Sequence, residues 1–267
     1  MSDEIVAVEN VKKDNIKRGI YILPNLITAA SLFAGFYSMV ATLNKDYNTA
    51  AIAIFISAIC DGLDGKVARL TGSSSKFGVE FDSLADLVAF GVTPALLMYS
   101  WALRPFGRLG WAAAFLFLAC AALRLARFNV QVDTVESKRF IGLPTPASAC
   151  MVAATVMLFY HFDWPSSFRK LAILALIYLL AFLNVSNFKY NSFKDPAFIK
   201  RQPFSMLLLA VVLLIVVVAE PVVMTFSVLL LYILSGPVGY IITWPRRRRL
   251  EKAVHKGRED FNREGDV

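Results

Sequence analysis

Asp61-Gly62-Leu63-Asp64-Gly65-Lys66-Val67-Ala68-Arg69, then eight residues, then Gly78-Val79-Glu80-Phe81-Asp82-Ser83-Leu84-Ala85-Asp86: the fold of this chain is decided by how that stretch is read. Its first half closes an apolar segment, Thr49–Val67, and its second half opens another, Leu84–Trp101. Asp61 and Asp64 are three residues apart and Asp82 and Asp86 four, so on helices each pair shares a face. A carboxylate at the centre of a membrane helix costs about 2.5–3.5 kcal/mol on insertion scales. Four of them at the ends of apolar segments imply a charge that they are placed to meet.

Working outward, apolar windows recur along the whole chain. Hydrophobic residues make up 57% of the 267 and the mean hydropathy is +0.57, too apolar for a soluble domain of this length. Segments of the length that crosses about 30 Å of hydrocarbon as helix are Leu23–Leu43, Thr49–Val67, Leu84–Trp101, Leu109–Phe128, Pro146–Phe162, Leu171–Phe188, Phe204–Ala219 and Val222–Trp244. The last two meet at the polar break Glu220-Pro221. The expected fold is all-α: a polytopic membrane helical bundle of about eight transmembrane helices. With a cytoplasmic amino terminus, all of the 28 Lys and Arg except Lys45, Arg104, Arg108, Arg169 and Lys170 fall on one side. That asymmetry places both termini and the aspartate run at the cytoplasmic face.

The remaining features are plainer. Residues 1–20 read as a basic cytoplasmic segment, a short interfacial helix or a solvated arm. No cleavable leader is expected, because the first apolar run begins past residue 20, is long and lacks a small-residue cleavage site. Cys60, Cys120 and Cys150 sit in apolar segments and read as small hydrophobes. His161 and His255 fall on opposite sides of the membrane, which excludes a histidine metal site. The run Arg246–Arg249 suits topology and anionic headgroups, and the net charge of +8 is accounted for by orientation rather than by nucleic acid.

Two helices that face each other with Asp61/Asp64 and Asp82/Asp86 bring four carboxylates into one small space, where like charges repel. Oxygen-only ligands suit the hard cations Mg2+ or Mn2+, and four carboxylates suffice for one or two ions. Gly62, Gly65, Ala68 and Gly78 stand where a side chain would block a nucleotide or the partner helix. Lys66 and Arg69 bring positive charge, as a diphosphate requires. Two other readings stay open: a cation or proton path in a transporter, and an ion-pair network with Lys66, Arg69 and Lys76.

The spacing resembles the signature of the CDP-alcohol phosphotransferase family, with all eight fixed positions matched: Asp61, Asp64, Gly65, Ala68, Arg69, Gly78, Asp82 and Asp86. The resemblance implies a membrane enzyme, commonly a homodimer, whose six-helix core opens a polar cavity to the cytoplasm. It implies two divalent cations held by Asp61, Asp64, Asp82 and Asp86, with Asp86 also the base. Asn25, Thr28, Asp61, Gly65, Ala68, Arg69 and Gly78 would bind the CDP-diacylglycerol. The chain divides accordingly into a basic segment, 1–20, the catalytic core, 21–190, two additional membrane helices, 191–244, and a basic tail, 245–267.

The acceptor is a separate question. Arg124-Leu125-Ala126-Arg127-Phe128-Asn129, Phe140-Ile141-Gly142-Leu143-Pro144-Thr145-Pro146 and Leu23-Pro24-Asn25-Leu26-Ile27-Thr28 resemble the bacterial and archaeal branch of the family that uses L-serine. That branch implies serine near Arg124, Arg127, Asn129, Gly142 and Pro144, and the products phosphatidylserine and CMP. A zwitterion needs a cation for its carboxylate, which Arg124 or Arg127 supplies, and acceptors for its ammonium. Plain anchoring explains the arginines equally, and a turn into a helix explains Gly142-Leu143-Pro144. Glycerol 3-phosphate or another alcohol would share the same aspartates. The implied setting is a bacterial or archaeal cytoplasmic membrane.

Overall fold

The computed structural model describes residues 2–72, 75–132, 140–162, 166–186, 188–190 and 219–240. These residues are almost entirely helical. In chain order they form α1 (Ser2–Leu43), α2 (Tyr47–Thr71), α3 (Lys76–Asp86), a π-helical segment (Leu87–Val92), α4 (Thr93–Met98), a second π-helical segment (Tyr99–Leu103) and a 3-10 turn (Arg104–Phe106). Then come α5 (Arg108–Val132), α6 (Thr145–Phe162), α7 (Ser166–Val185) and α8 (Pro221–Tyr240). Phe140–Ile141 and Lys189–Tyr190 pair as two antiparallel strands of two residues each, beside the ends of α6 and α7.

Five of the described helices are long and apolar enough to cross a membrane: Ile22–Leu43, Lys76–Phe106, Arg108–Val130, Thr145–Phe162 and Pro221–Tyr240. The expected span Thr49–Val67 lies in α2, an unbroken helix whose last third carries Asp61, Asp64, Lys66 and Arg69 and is correspondingly less apolar. The expected span Leu171–Phe188 lies in α7, whose apolar part, Leu171–Val185, is shorter. Phe204–Ala219 falls outside the described residues except for Ala219. At the other end of the chain, α1 starts at Ser2 and continues through Pro24 to Leu43, so the basic segment and the first span form one helix.

Local chemistry sets the helix ends. The Asp46 side chain accepts from the Thr49 N–H at 3.2 Å and caps α2. Gly72, at φ 60°, ends α2 in the left-handed conformation, its N–H returning to the Ala68 carbonyl. Ser75 then starts α3 by accepting from the Gly78 N–H at 3.0 Å. This short reversal is what turns the second aspartate pair back toward the first.

Lipid supplies no hydrophobic drive between helices, so close backbone approach and internal hydrogen bonds must hold them. Between α1 and α2, Ser31 Oγ donates to the Ser57 carbonyl at 3.0 Å and Ser57 Oγ to the Ser31 carbonyl at 2.9 Å, while Ser38 Oγ donates to the Ala50 carbonyl at 2.7 Å. Against the first π-helical segment, α1 offers Gly35, where a Cβ would stand 2.9 Å from Ala89 Cα. Thr93 Oγ1 reaches both the Gly35 carbonyl, at 3.2 Å, and the Val88 carbonyl, at 2.9 Å. α6 is buried along nearly its whole length and forms the centre, with Met151 beside Phe90, Leu97, Phe117, Ile173 and Leu180 in one apolar cluster. Phe33, Phe36, Phe115, Leu123, Phe182 and Leu231 point outward, as lipid-facing residues do.

Candidate metal and substrate site

α2 carries Asp61 and Asp64 and α3 carries Asp82, and one carboxylate oxygen from each lies within 4.8 Å of the others. Asp86, one turn beyond Asp82, brings its carboxyl within hydrogen-bonding reach of Asp61. All four aspartates therefore gather as the two spacings require. None of Lys66, Arg69 and Lys76 forms an ion pair with them; the ion pair seen among the described residues, His161 with Glu220 at 3.3 Å, is elsewhere. Lys66, Arg69 and Lys76 thus do not pair with the carboxylates, which removes an ion-pair network with those three as the account of the cluster. A cluster of hard oxygen donors this tight fits a divalent cation.

Beside the aspartates lies a cleft of ≈ 170 Å³, lined by Pro24, Asn25, Thr28, Asp64, Gly65, Ala68, Ser75, Gly78, Val79 and Asp82. Five residues expected from sequence to meet CDP-diacylglycerol, Asn25, Thr28, Gly65, Ala68 and Gly78, line it together. Gly65 has no neighbour within 4 Å of a would-be Cβ, so its missing side chain leaves open space on the cleft wall. A Cβ on Gly78 would come within 3.2 Å of Asn25 Oδ1 and of Ser75 Oγ. Gly62 also meets nothing within 4 Å but does not line the cleft. Arg69 is exposed next to it.

Thr28 does more than line the wall. Its Oγ1 donates to Asp64 Oδ2 at 2.7 Å, in a buried setting where Asp64 is only 5% exposed. The Pro24 carbonyl, at 3.1 Å, is a second and more distant acceptor for the same proton, so the shorter bond to Asp64 fixes the carboxylate that α2 presents. The sequence pattern of polar residues near the start of the first span could mark Thr28 as site-facing, but not which aspartate it meets. Ser75 was missed; its place just before the helix of Asp82 is the signal for a cap.

The residues expected to meet the acceptor sit on α5 and in the turn that leads into α6. Arg124 Nη1 donates to Thr145 Oγ1 at 3.2 Å, and its guanidinium lies within electrostatic reach of Asp86 and Tyr232. Arg127 Nη1 donates to the Val185 carbonyl at 3.3 Å, so it caps the end of α7. Asn129 exchanges hydrogen bonds with Ser83, donating at 3.0 Å and accepting at 3.3 Å, which ties α5 to the aspartate helix. Gly142 takes φ 82°, and a Cβ there would stand 2.7 Å from the Asn184 carbonyl. Its N–H donates to the Phe188 carbonyl at 2.9 Å, and the Pro144 carbonyl accepts from Ser148 at 3.0 Å. Gly142 and Pro144 thus build the turn that holds α6 against α7, while Arg124 stands in reach of Asp86.

Comparison with known proteins agrees with this geometry. Residues 21–183 match the family described as CDP-alcohol phosphatidyltransferase. The chain is 44% identical over 175 residues to the CDP-diacylglycerol--serine O-phosphatidyltransferase of Helicobacter pylori (strain ATCC 700392 / 26695), covering 66% of this chain and 74% of that protein. It is 34% identical over 224 residues to the protein of the same name from Methanocaldococcus jannaschii, covering 84% of this chain and 96% of the relative. It is also 34% identical over 157 residues to the archaetidylserine synthase of Methanothermobacter thermautotrophicus, covering 58% and 66%.

Proposed function

The chain belongs to the CDP-alcohol phosphatidyltransferase family, and from that premise we propose that it transfers the phosphatidyl group of CDP-diacylglycerol to the hydroxyl of L-serine. The observation that carries the reading is the carboxylate cluster of Asp61, Asp64 and Asp82, within 4.8 Å, opening directly onto a cleft walled by small residues. Serine as acceptor is supported by the relatives, whose names differ in the donor lipid between phosphatidyl and archaetidyl but share serine.

In this reading Asp61, Asp64, Asp82 and Asp86 hold two divalent cations, Mg2+ or Mn2+, which when bound neutralise charge on the diphosphate and on the departing phosphate. Asn25, Thr28, Gly65, Ala68, Arg69 and Gly78 border the CDP moiety, Asp61 touching it from the cluster. Gly65 and Gly78 leave the space, and the exposed Arg69 supplies a donor to phosphate oxygens. Arg124 and Arg127 orient serine, with Asn129, Gly142 and Pro144 framing its pocket. Asp86 takes the hydroxyl proton as the serine oxygen bonds to the phosphorus that carries diacylglycerol. The bond from that phosphorus to CMP breaks in line, leaving phosphatidylserine and CMP.

The membrane arrangement proposed with it has eight spans, both termini cytoplasmic, and the site facing the cytoplasm of a bacterial or archaeal cell. Residues 21–190 are then the catalytic core, 191–244 two additional helices and 245–267 a basic tail, in a homodimer. Two contacts support this topology: His161 meets Glu220 at the end it assigns to the outside, and Arg124, Arg127 and the aspartates share the opposite end. The test is acceptor competition. Purified protein is given CDP-diacylglycerol with labelled serine, glycerol 3-phosphate and inositol, and only serine is expected to yield labelled lipid with equimolar CMP. Label in a different lipid would reassign the acceptor, and solute flux without CMP release would point to a transporter.

A further inference from the structure

Asn184, in the last turn of α7, is 1% exposed, yet neither its Nδ2 nor its Oδ1 has a hydrogen-bond partner. In a packed helical bundle that is unusual, since a buried carboxamide left with both its donor and its acceptor unused is costly. The backbone around it cannot readily swing away. The Leu183 carbonyl accepts from Leu143 at 3.1 Å, the Val185 carbonyl accepts from Arg127, and the Asn184 carbonyl lies where Gly142 has given up a side chain.

A second orphan lies in the same neighbourhood. Arg124 Nε is buried without a partner, although Nη1 of the same guanidinium is engaged by Thr145, two residues past Leu143. Arg124 and Asn184 thus flank the turn of Gly142–Thr145, from α5 and from α7. Between them they offer an unused charged N–H, an unused amide N–H and an unused amide oxygen. An amino acid has the matching set: a carboxylate that takes two donors and an ammonium that needs an oxygen. The Arg124 guanidinium lies within electrostatic reach of Asp86, so an amino acid held at its Nε–H would carry its hydroxyl toward the carboxyl proposed to take the proton.

We propose that Asn184 is a specificity-determining residue of the acceptor pocket, its carboxamide and the Arg124 Nε–H together receiving the zwitterionic end of the amino acid. This rests on serine being the acceptor. It accounts for two unsatisfied buried groups at once, and it separates serine from an alcohol that lacks an α-ammonium.

Asn184→Leu, nearly the same shape without the amide, is compared with wild type for the KM of each substrate and for Tm in detergent. Asn184→Ala is made beside it, in case the branched chain does not fit. In both, the KM for serine is expected to rise by about ten- to a hundredfold, the loss of one hydrogen bond to a charged group, while the KM for CDP-diacylglycerol stays within about twofold. Tm in Asn184→Leu is expected to hold or rise, because an unsatisfied buried amide has been replaced by an apolar group. Added serine should raise the Tm of wild type more than that of either variant. Unchanged serine dependence would overturn the assignment, and so would loss of fold in both variants, which would make the amide a structural requirement. A wild type that releases no CMP with serine would instead remove the acceptor reading itself.

Discussion

Replacing Thr28 by valine keeps the shape of the side chain and removes one hydroxyl. In the structure that hydroxyl donates to Asp64 Oδ2 at 2.7 Å with both residues buried, so the deleted interaction is a short hydrogen bond to a carboxylate. Such bonds contribute about 1.5–3 kcal/mol, and at about 1.4 kcal/mol per decade that is about one to two orders of magnitude. The effect should appear in metal activation, because Thr28 holds a carboxylate of the cluster, and outer-shell partners of metal ligands are typically worth about 10–100-fold in affinity or activity. The assay is CMP release titrated with Mg2+ and with Mn2+ at saturating CDP-diacylglycerol and serine. Thr28→Val should need about ten- to a hundredfold more metal for half-maximal rate and should approach wild-type turnover at high metal. Thr28→Ser, which keeps the donor, should stay near wild type. A Thr28→Val curve superimposable on wild type would refute the reasoning. So would an unchanged metal dependence with a raised KM for CDP-diacylglycerol, which would make Thr28 a substrate contact and not a support for Asp64.

Asp82→Asn removes one charge from the cluster at nearly constant shape; turnover should disappear with expression and detergent elution unchanged, and retained activity would remove the metal reading. Asp86→Asn should lower kcat by about 10²–10⁴-fold, as for a lost general base, while CDP-diacylglycerol still binds in the presence of metal; binding lost in step with activity would make Asp86 a ligand alone. Gly142→Ala must hold a side chain at φ 82° with its Cβ 2.7 Å from the Asn184 carbonyl, and should destabilise by about 1–3 kcal/mol through strain and overpacking, seen as a lowered Tm; an unchanged Tm would show that the turn relaxes freely.

Much of the site was legible because a few spacings obey helix geometry. Asp61 with Asp64 and Asp82 with Asp86 need only lie on helices to share faces, and Gly72 followed by Ser75 spells the reversal that opposes them. Five of the eight hydropathy windows likewise fall on helices long and apolar enough to cross a membrane. What sequence could not supply is pairing over distance. Nothing in Thr28 names Asp64 as its partner, since 36 residues and a helix reversal separate them. Asn129 read as an acceptor for the serine ammonium, and nothing near it in the sequence names Ser83, 46 residues away, as its hydrogen-bond partner. Arg127 is drawn to the carbonyls at the end of α7, which have no sequence signature near it. Asn184 lies inside an apolar window and gives no local sign of being unsatisfied; only packing reveals that. The continuity of α1 from Ser2 was equally hidden, because Pro24 and the change from basic to apolar composition both suggest a boundary that the helix ignores.

The π-helical segment Leu87–Val92 begins directly after Asp86. A π turn holds one residue more than the α turn it replaces, so the segment behaves as an insertion absorbed without breaking the rod. Deleting one residue there would let the helix close into ordinary α geometry, continuous and still apolar. The turn that closes is still one revolution, so everything on the far side would keep nearly its present phase relative to the aspartates. Asp82 and Asp86 would still face Asp61 and Asp64 while Leu97 stayed in the core. The widened turn is in this sense slack between two patterns on one helix: a descendant could lose a single codon here and keep both, whereas the same loss in a regular α turn would rotate one pattern by about 100° against the other.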